Sequence, residues 1–483
     1  MSGARLRSEL TLFDVTNLVV GGIIGADIYV ASSFGAGYLG PFSLVIWVVA
    51  GIVAIVIALC FAQCATLFPR VGGPYAYAKE AWGPFAGFTV GWSLWLGEWV
   101  SLAVFPVAFT RYLMFFFPNL HWTYQVFVKG LFVAFLTMTN IVGVKAAGRT
   151  NDVLTLFKLT PLIFFSGIGV IYMILHPNAV MSNLSPFLPF GLSNFGKTLV
   201  LVFWAYAGFE LSTIPADKVK DASHTIPKAI MFGIAIVTIF YLTTNMILFS
   251  VRPSNQLALD TAPLASATTS VLETGTALAL IGGTFVGAGA LVSVTGSDES
   301  GMLGTSRLGY ALAADGLFPH FFAKNHPKYK TPYLGIIFQA STALLASIVG
   351  HLDALISTSV FLMAIAYVAT SASIFTLRKE PRRHEFDLKH ALIPSLGVLF
   401  SLFLISQCGI DQIVAGLVLV LLGVPVYVKY SPKKEMAELK EELLSTEFML
   451  QRAYRQEERF LAYMLRRLKR LYEKRSRKRY GPS

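Results

Sequence analysis

Residues 21–27 read Gly21-Gly22-Ile23-Ile24-Gly25-Ala26-Asp27, and five apolar spans further on residues 204–210 read Trp204-Ala205-Tyr206-Ala207-Gly208-Phe209-Glu210. Each stretch interrupts an apolar run with glycine and closes on a carboxylic acid. Glycine has no Cβ and loses more conformational freedom in a helix than any other residue, so it marks where a membrane helix breaks. Broken helices in corresponding positions of two halves expose free amides and carbonyls near the bilayer midplane, where small solutes and ions bind. Glycine-mediated close packing of helices is the alternative. The two stretches fall where equivalent helices of two inverted five-helix repeats are expected, and the similarity between the halves is too weak to prove a repeat.

Outward from these stretches the chain is apolar almost throughout. Its 483 residues are 55% hydrophobic and 14% charged, with a mean hydropathy of +0.62. Soluble domains carry about 25% charged residues. Apolar runs of about 20 residues recur, each long enough to cross the ~30 Å hydrocarbon core, and none shows the ten-residue alternation of a barrel strand. The reading is an all-α integral membrane protein with 12 transmembrane helices, at about 15–37, 41–68, 83–114, 123–143, 152–176, 195–216, 227–250, 277–311, 333–350, 353–377, 390–408 and 411–429. This divides the chain into an N-terminal segment 1–14, a first five-helix repeat 15–176, an outside loop 177–194, a second repeat 195–377, two further helices in 378–430 and a basic tail 431–483.

The net charge of +12 does not call for nucleic acid. The tail alone holds 15 basic and 8 acidic residues, and most other positives sit in short loops. With both termini in the cytoplasm, inside segments hold 34 Lys and Arg and outside segments hold Arg111, Lys129, Lys197 and Arg252. That asymmetry predicts the orientation, and the expected location is the plasma membrane. The first apolar segment lacks a small-residue cleavage site and reads as a retained helix. Cys60, Cys64 and Cys408 lie inside spans without zinc spacing and read as packing. The outside loop 251–276 has a helix-compatible stretch suited to capping an outer vestibule, and 312–332 reads as an ordered cytoplasmic turn. In the tail, Leu439, Leu443, Leu450, Tyr454, Leu461, Met464, Leu468 and Leu471 recur near helical spacing among charges. They predict an amphipathic helix that lies on anionic lipid or self-associates, with a solvated tail as the alternative. Oligomeric state is open.

Ionisable side chains inside spans cost several kcal/mol unless paired or hydrated. The set is Asp27, Glu98, Lys158, Glu210, Asp298 and Glu299, five acids and one base, so the interior suits a cationic partner. Neutral carboxyls or snorkelling at a span end are the plain alternatives.

Several motifs in order carry a resemblance. GGIIGADIY in the first span, FPRVGGPYAYAKEAWGP at 68–84, FWAYAGFE at 203–210 with Lys218, Lys220 and IPKAI at 226–230, and SRLGYALAADGLFP at 306–319 are similar to segments of the amino acid–polyamine–organocation (APC) superfamily. The resemblance runs from about residue 8 to 430 and implies the leucine-transporter-type fold, a 5+5 inverted repeat plus two extra helices. It also implies a secondary transporter working by alternating access on an amino acid or cationic amine. Gly21, Gly22, Gly25 and Ala26, with Ile23 between them, are then the unwound loop whose amides hold a substrate carboxylate, in keeping with the positive end of a restarting helix. Trp204 resembles the aromatic gate of the arginine/agmatine antiporter, where an indole covers a cation for ~0.5–2 kcal/mol. Ala205, Tyr206 and Gly208 flank it, and packing is the alternative for both aromatic rings. Glu210 matches the acid below that gate. VLTLFKLTP resembles proton-coupled members in which the lysine, here Lys158, replaces a sodium ion, and burial brings a lysine into a titratable range. Snorkelling is its alternative. Asp298 and Glu299 either pair with Lys158 or bind a cation.

Asp27 departs from the pattern, since amino-acid carriers usually have glycine or serine there. A fixed carboxylate ~4 Å from a substrate carboxylate costs ~4 kcal/mol at an effective dielectric near 20, about three decades of affinity. The expected substrate is therefore a cationic amine or a basic amino acid, unless Asp27 is neutral. No cofactor is expected; a proton gradient is the expected driving force, ahead of sodium. No phosphate-binding loop supports ATP-driven transport, and no His-Glu-x-x-His or clustered nucleophile supports an intramembrane enzyme. An exchanger is the nearest alternative, followed by a channel or sensor, which saturable counterflow excludes.

Overall fold

The computed structural model describes residues 11–68, 73–142, 147–212, 219, 221–378 and 388–431, and its regular elements there are helices. Residues 1–427 form one compact unit and 428–483 a second. The expected tail helix lies outside the described residues.

The first broken segment runs through α1 (Leu12–Ile23) and α2 (Asp27–Leu39), followed by α3 (Ser43–Leu67). A capping box starts α1: the Thr11 hydroxyl accepts from the Asp14 amide and the Asp14 carboxylate accepts from the Thr11 amide at 2.9 Å. Next come α4 (Pro74–Trp82), α5 (Pro84–Leu102) and α6 (Val104–Leu113). Gly73 (φ +53°) and Gly83 (φ +94°) supply the left-handed turns, and Pro74 and Pro84 start the helices that follow. Then follow α7 (Trp122–Val142), α8 (Ala147–Leu175) and α9 (Pro177–Asn183), with the chain bent by 101° between the last two.

The second broken segment holds α10 (Phe195–Phe203), a 3-10 turn Trp204–Tyr206 and α11 (Phe209–Ser212). After α12 (Ala222–Val251), the loop 251–276 folds into α13 (Ser254–Leu259) and α14 (Pro263–Val271). The remainder is α15 (Ala277–Ala314), α16 (Tyr333–Val349), α17 (Leu352–Leu377), α18 (Leu388–Gln407), α19 (Ile410–Leu421) and α20 (Gly423–Tyr430).

Among the described residues seven helices are long and apolar enough to cross a membrane. On α7 the exposed side chains Tyr124, Phe127, Leu131, Phe135 and Met138 recur every three to four residues, and Val414, Leu417, Val418 and Leu421 do so on α19. Apolar stripes turned outward are stable where the solvent is hydrocarbon. Inside, α5 packs on α17, α15 and α4, and α3 packs on α12 and α17.

Polar contacts tie the ends. At one end, the Tyr75 hydroxyl donates to Asp315 at 2.7 Å and Lys79 to Tyr75 at 3.2 Å, joining the 68–84 and 306–319 motifs. On the other side, the expected capping stretch sits on α2: Ser33 donates to the Asp260 carbonyl at 3.1 Å, Gly37 lies against Ala258, and Arg252 pairs with Asp260.

Candidate functional site

The first break is shorter than expected from the sequence. Gly21, Gly22 and Ile23 form the last turn of α1, and only Ile24, Gly25 and Ala26 lie outside helix. Glycine pairs are tolerated in a helix end that packs closely, so the unwinding waits for Gly25, where space is the deciding factor. A Cβ on Gly25 falls 2.5 Å from the Ser297 hydroxyl and 2.9 Å from Asp27 Oδ1. Ser293 of the same helix, α15, donates to the Gly25 carbonyl at 3.3 Å. No side chain caps the N-terminus of α2, and Asp27, 7% exposed, stands in its first turn where the helix dipole favours negative charge.

In the second break Ala207 is extended (ψ 156°) and Gly208 is left-handed (φ +115°). A Cβ on Gly208 lands 2.5 Å from the Gly22 carbonyl oxygen, so the two breaks touch there through bare backbone. Trp204 is buried, packs at a tilt against Phe105 and donates its indole N–H to Ser101 of α5 at 3.0 Å. This is the arrangement of an aromatic group closed against a neighbouring helix. Tyr206 instead donates to the Trp47 carbonyl in α3 at 2.8 Å and packs on Trp47 and Tyr241, so its hydroxyl is committed to structure. Ala205 contributes its backbone carbonyl.

Tyr241 of α12 is the residue that sequence reasoning missed. Its hydroxyl lies 2.7 Å from Asp27 Oδ2, 3.0 Å from the Ala205 carbonyl and 3.4 Å from the Ile23 carbonyl, so one side chain spans both breaks. A tyrosine in an apolar span needs a hydrogen-bond partner, and that was the available signal. The partners lie 36 and 214 or more residues away, beyond local pattern.

Among the other acids, Glu210 accepts from the Gly208 amide at 3.0 Å and from the Tyr367 hydroxyl at 3.1 Å. Glu98 and Asp298 are buried, each with one carboxyl oxygen lacking a hydrogen-bond partner. Glu299 is only half-buried beside Asp298. Lys158 lies in α8, but its side chain is outside the described residues; three residues on, Pro161 meets Gly289 of α15. Among the described residues no group of three or more His, Cys, Asp or Glu is arranged to hold a metal ion.

This arrangement is two broken helices meeting through backbone, with backbone carbonyls and buried carboxyls around them. The sequence model of the amino acid permease family matches residues 10–427. The chain belongs to that family. Over 453 residues the permease is 30% identical to the branched-chain amino acid permease BcaP of Bacillus subtilis, covering 89% of this chain and 94% of the relative. It is 28% identical to the serine/threonine exchanger SteT of Bacillus subtilis, at 89% and 98% coverage. Against the human large neutral amino acids transporter small subunit 2 the figures are 27%, 88% and 81%. The permease is therefore an APC-superfamily amino acid transporter of the multi-pass membrane type, not an enzyme. Both breaks and all six intramembrane ionisable residues lie inside the matched region.

Proposed function

We propose that the permease moves an amino acid across the plasma membrane by alternating access, with its carboxylate held at the N-terminus of α2. The observation that carries this is the break itself: α2 opens at Asp27 with no side-chain cap, next to the Gly25 carbonyl. Orphan amides and the helix dipole make such a terminus an anion site. The relatives' names, branched-chain, serine/threonine and large neutral, favour an uncharged side chain. The hydrogen bond from Tyr241 to Asp27 satisfies part of that carboxyl and eases its clash with a substrate carboxylate.

Proton coupling through Lys158 belongs to the same proposal, supported by its place in α8, which packs against α15. So does the twelve-span architecture with two inverted repeats and two extra helices. The helices Leu12–Ile23, Phe195–Tyr206, Tyr333–Val349 and Ala391–Gln407 are apolar but short, and they overlap intervals expected to span. Cytoplasmic termini follow from the 34 inside and four outside basic residues.

A second reading, carriage of a cationic amine or polyamine, is favoured by Asp27, buried in the break. A thermal-shift panel separates the two by pairing amino acids with their decarboxylated amines. A ligand at 100 times its Kd adds about 2.7 kcal/mol. Stabilisation by leucine, serine or threonine and not by the matching amines supports the amino-acid reading. Stabilisation by amines alone overturns it in favour of the second.

A further inference from the structure

We propose that the cleft between α7 and α16 binds one anionic phospholipid of the bilayer, with an acyl chain lying along the cleft and the headgroup phosphate at Lys129. The site belongs to the lipid-facing surface and is independent of which substrate the permease carries.

Two hydrogen bonds clamp these helices at opposite ends. Lys129 of α7 donates to the Ser347 carbonyl in the last turn of α16 at 2.6 Å. Thr331, just before α16, donates to the Ile141 carbonyl near the end of α7 at 2.7 Å. Between the clamps lies a cavity of about 400 Å³, whose walls include Gly130, Val133 and Ala134 of α7 and Ala340, Ser341 and Leu344 of α16. A Cβ on Gly130 meets nothing within 4 Å, and the lining residues Met138 and Ile337 are exposed, so the cleft opens at the surface. The Thr137 hydroxyl in its wall is spent on the Val133 carbonyl at 2.7 Å. A water needs several polar partners and finds few here, so hydrocarbon is the fitting content.

Size decides among apolar occupants. From Gly130 to Val142 α7 rises about 18 Å, slightly more than one leaflet of the ~30 Å hydrocarbon core. Over that length the cavity has a section of about 22 Å², the girth of one extended hydrocarbon chain, whereas a helix ~10 Å across fills about 1400 Å³. Charge selects the headgroup. Lys129 is 9% exposed, and neither α7 nor α16 contains an Asp or Glu. The first acid after α16, Asp353, pairs with Lys197. One ammonium hydrogen of three goes to the Ser347 carbonyl, and a helix C-terminus offers only about half a negative charge. A phosphate supplies the rest. Trp122 and Tyr124 are exposed about one to two turns beyond Lys129, at the end of α7 that the proposed orientation puts outside, and such rings mark a membrane interface. The ammonium thus sits just beneath the headgroups, with the cleft running from it towards the bilayer centre.

The test is photocrosslinking of the full-length protein in liposomes with phosphatidylglycerol or phosphatidylcholine carrying a diazirine near the end of one acyl chain, the adducts being mapped by peptide. Phosphatidylglycerol should label α7 and α16 about fivefold more than phosphatidylcholine, the effect of one cation near the membrane surface. Lys129→Gln, which keeps an N–H donor and removes the charge, should bring the two lipids level. Gly130→Leu puts its side chain into open space and should remove the adducts of both lipids from α7 and α16. Adducts on the basic tail fall on separate peptides. Equal labelling by both lipids in the wild type overturns the proposal, and so does labelling of α7 and α16 no denser than that of the outward stripe on α19. If Lys129→Gln does not fold, Gly130→Leu decides alone, and unchanged adducts overturn the proposal. Crosslinks between two copies through α7 in place of lipid adducts assign the cleft to a second copy of the chain and overturn it too.

Discussion

At the scale of single residues, the site depends on one hydroxyl and one missing Cβ. Tyr241→Phe keeps the ring packed on Trp47 and Tyr206 but removes the donor to Asp27 and Ala205. Losing one hydrogen bond to a buried acceptor costs about 0.5–1.5 kcal/mol, more when it is charged. The expected result is a lower melting temperature together with weakened substrate binding, read by thermal shift with and without ligand; unchanged values for both would remove Tyr241 from the site. Gly208→Ala meets a backbone carbonyl at 2.5 Å in a left-handed conformation. Gly275→Ala has similar strain (φ +97°) with nothing within 4 Å. Strain of this kind costs on the order of 1–3 kcal/mol, so Gly275→Ala should fold and transport while Gly208→Ala loses uptake. Equal behaviour of the two would mean that the contact between the breaks is unimportant.

At the scale of elements, the two breaks were legible because glycine interrupts an apolar run in few other ways. Their extent was not. Gly21 and Gly22 read as unwound, yet they finish α1, because whether a glycine stays helical depends on what packs there, and Gly25 faces a side chain, Ser297, too close for a Cβ. Asp27, Trp204 and Glu210 could be picked out by type and place. Their partners Tyr241, Ser101 and Tyr367 could not, since each contact joins helices far apart in sequence. The outside loop was read as helix-compatible, and α13 and α14 are what it forms. Asp260 holds that cap through Arg252, the Ala262 amide and Ser266, while its carbonyl accepts from Ser33 on α2. Asp260→Asn should loosen it. Because Cys60, Cys64 and Cys408 are all buried, a cysteine introduced as Ala258→Cys reports alone. Its thiol should label faster from the outside in the Asp260→Asn background, and an unaltered rate counts against the cap.

At the scale of the whole molecule, composition decided the class, and charge distribution decided the proposed orientation. A fluorescent or protease-cleavable tag after residue 483 should be reachable only from the cytoplasm; access from outside reverses the assignment and with it the sense of inner and outer ends. The joint between the breaks carries one more consequence, visible as a count of hydrogens. Tyr241 offers a single O–H to three acceptors, Asp27 and the carbonyls of Ala205 and Ile23. It serves one of them at a time, and carbonyl and carboxylate oxygens accept more than one hydrogen, so a guest that brings an ammonium group with its three hydrogens can bind there without displacing Tyr241.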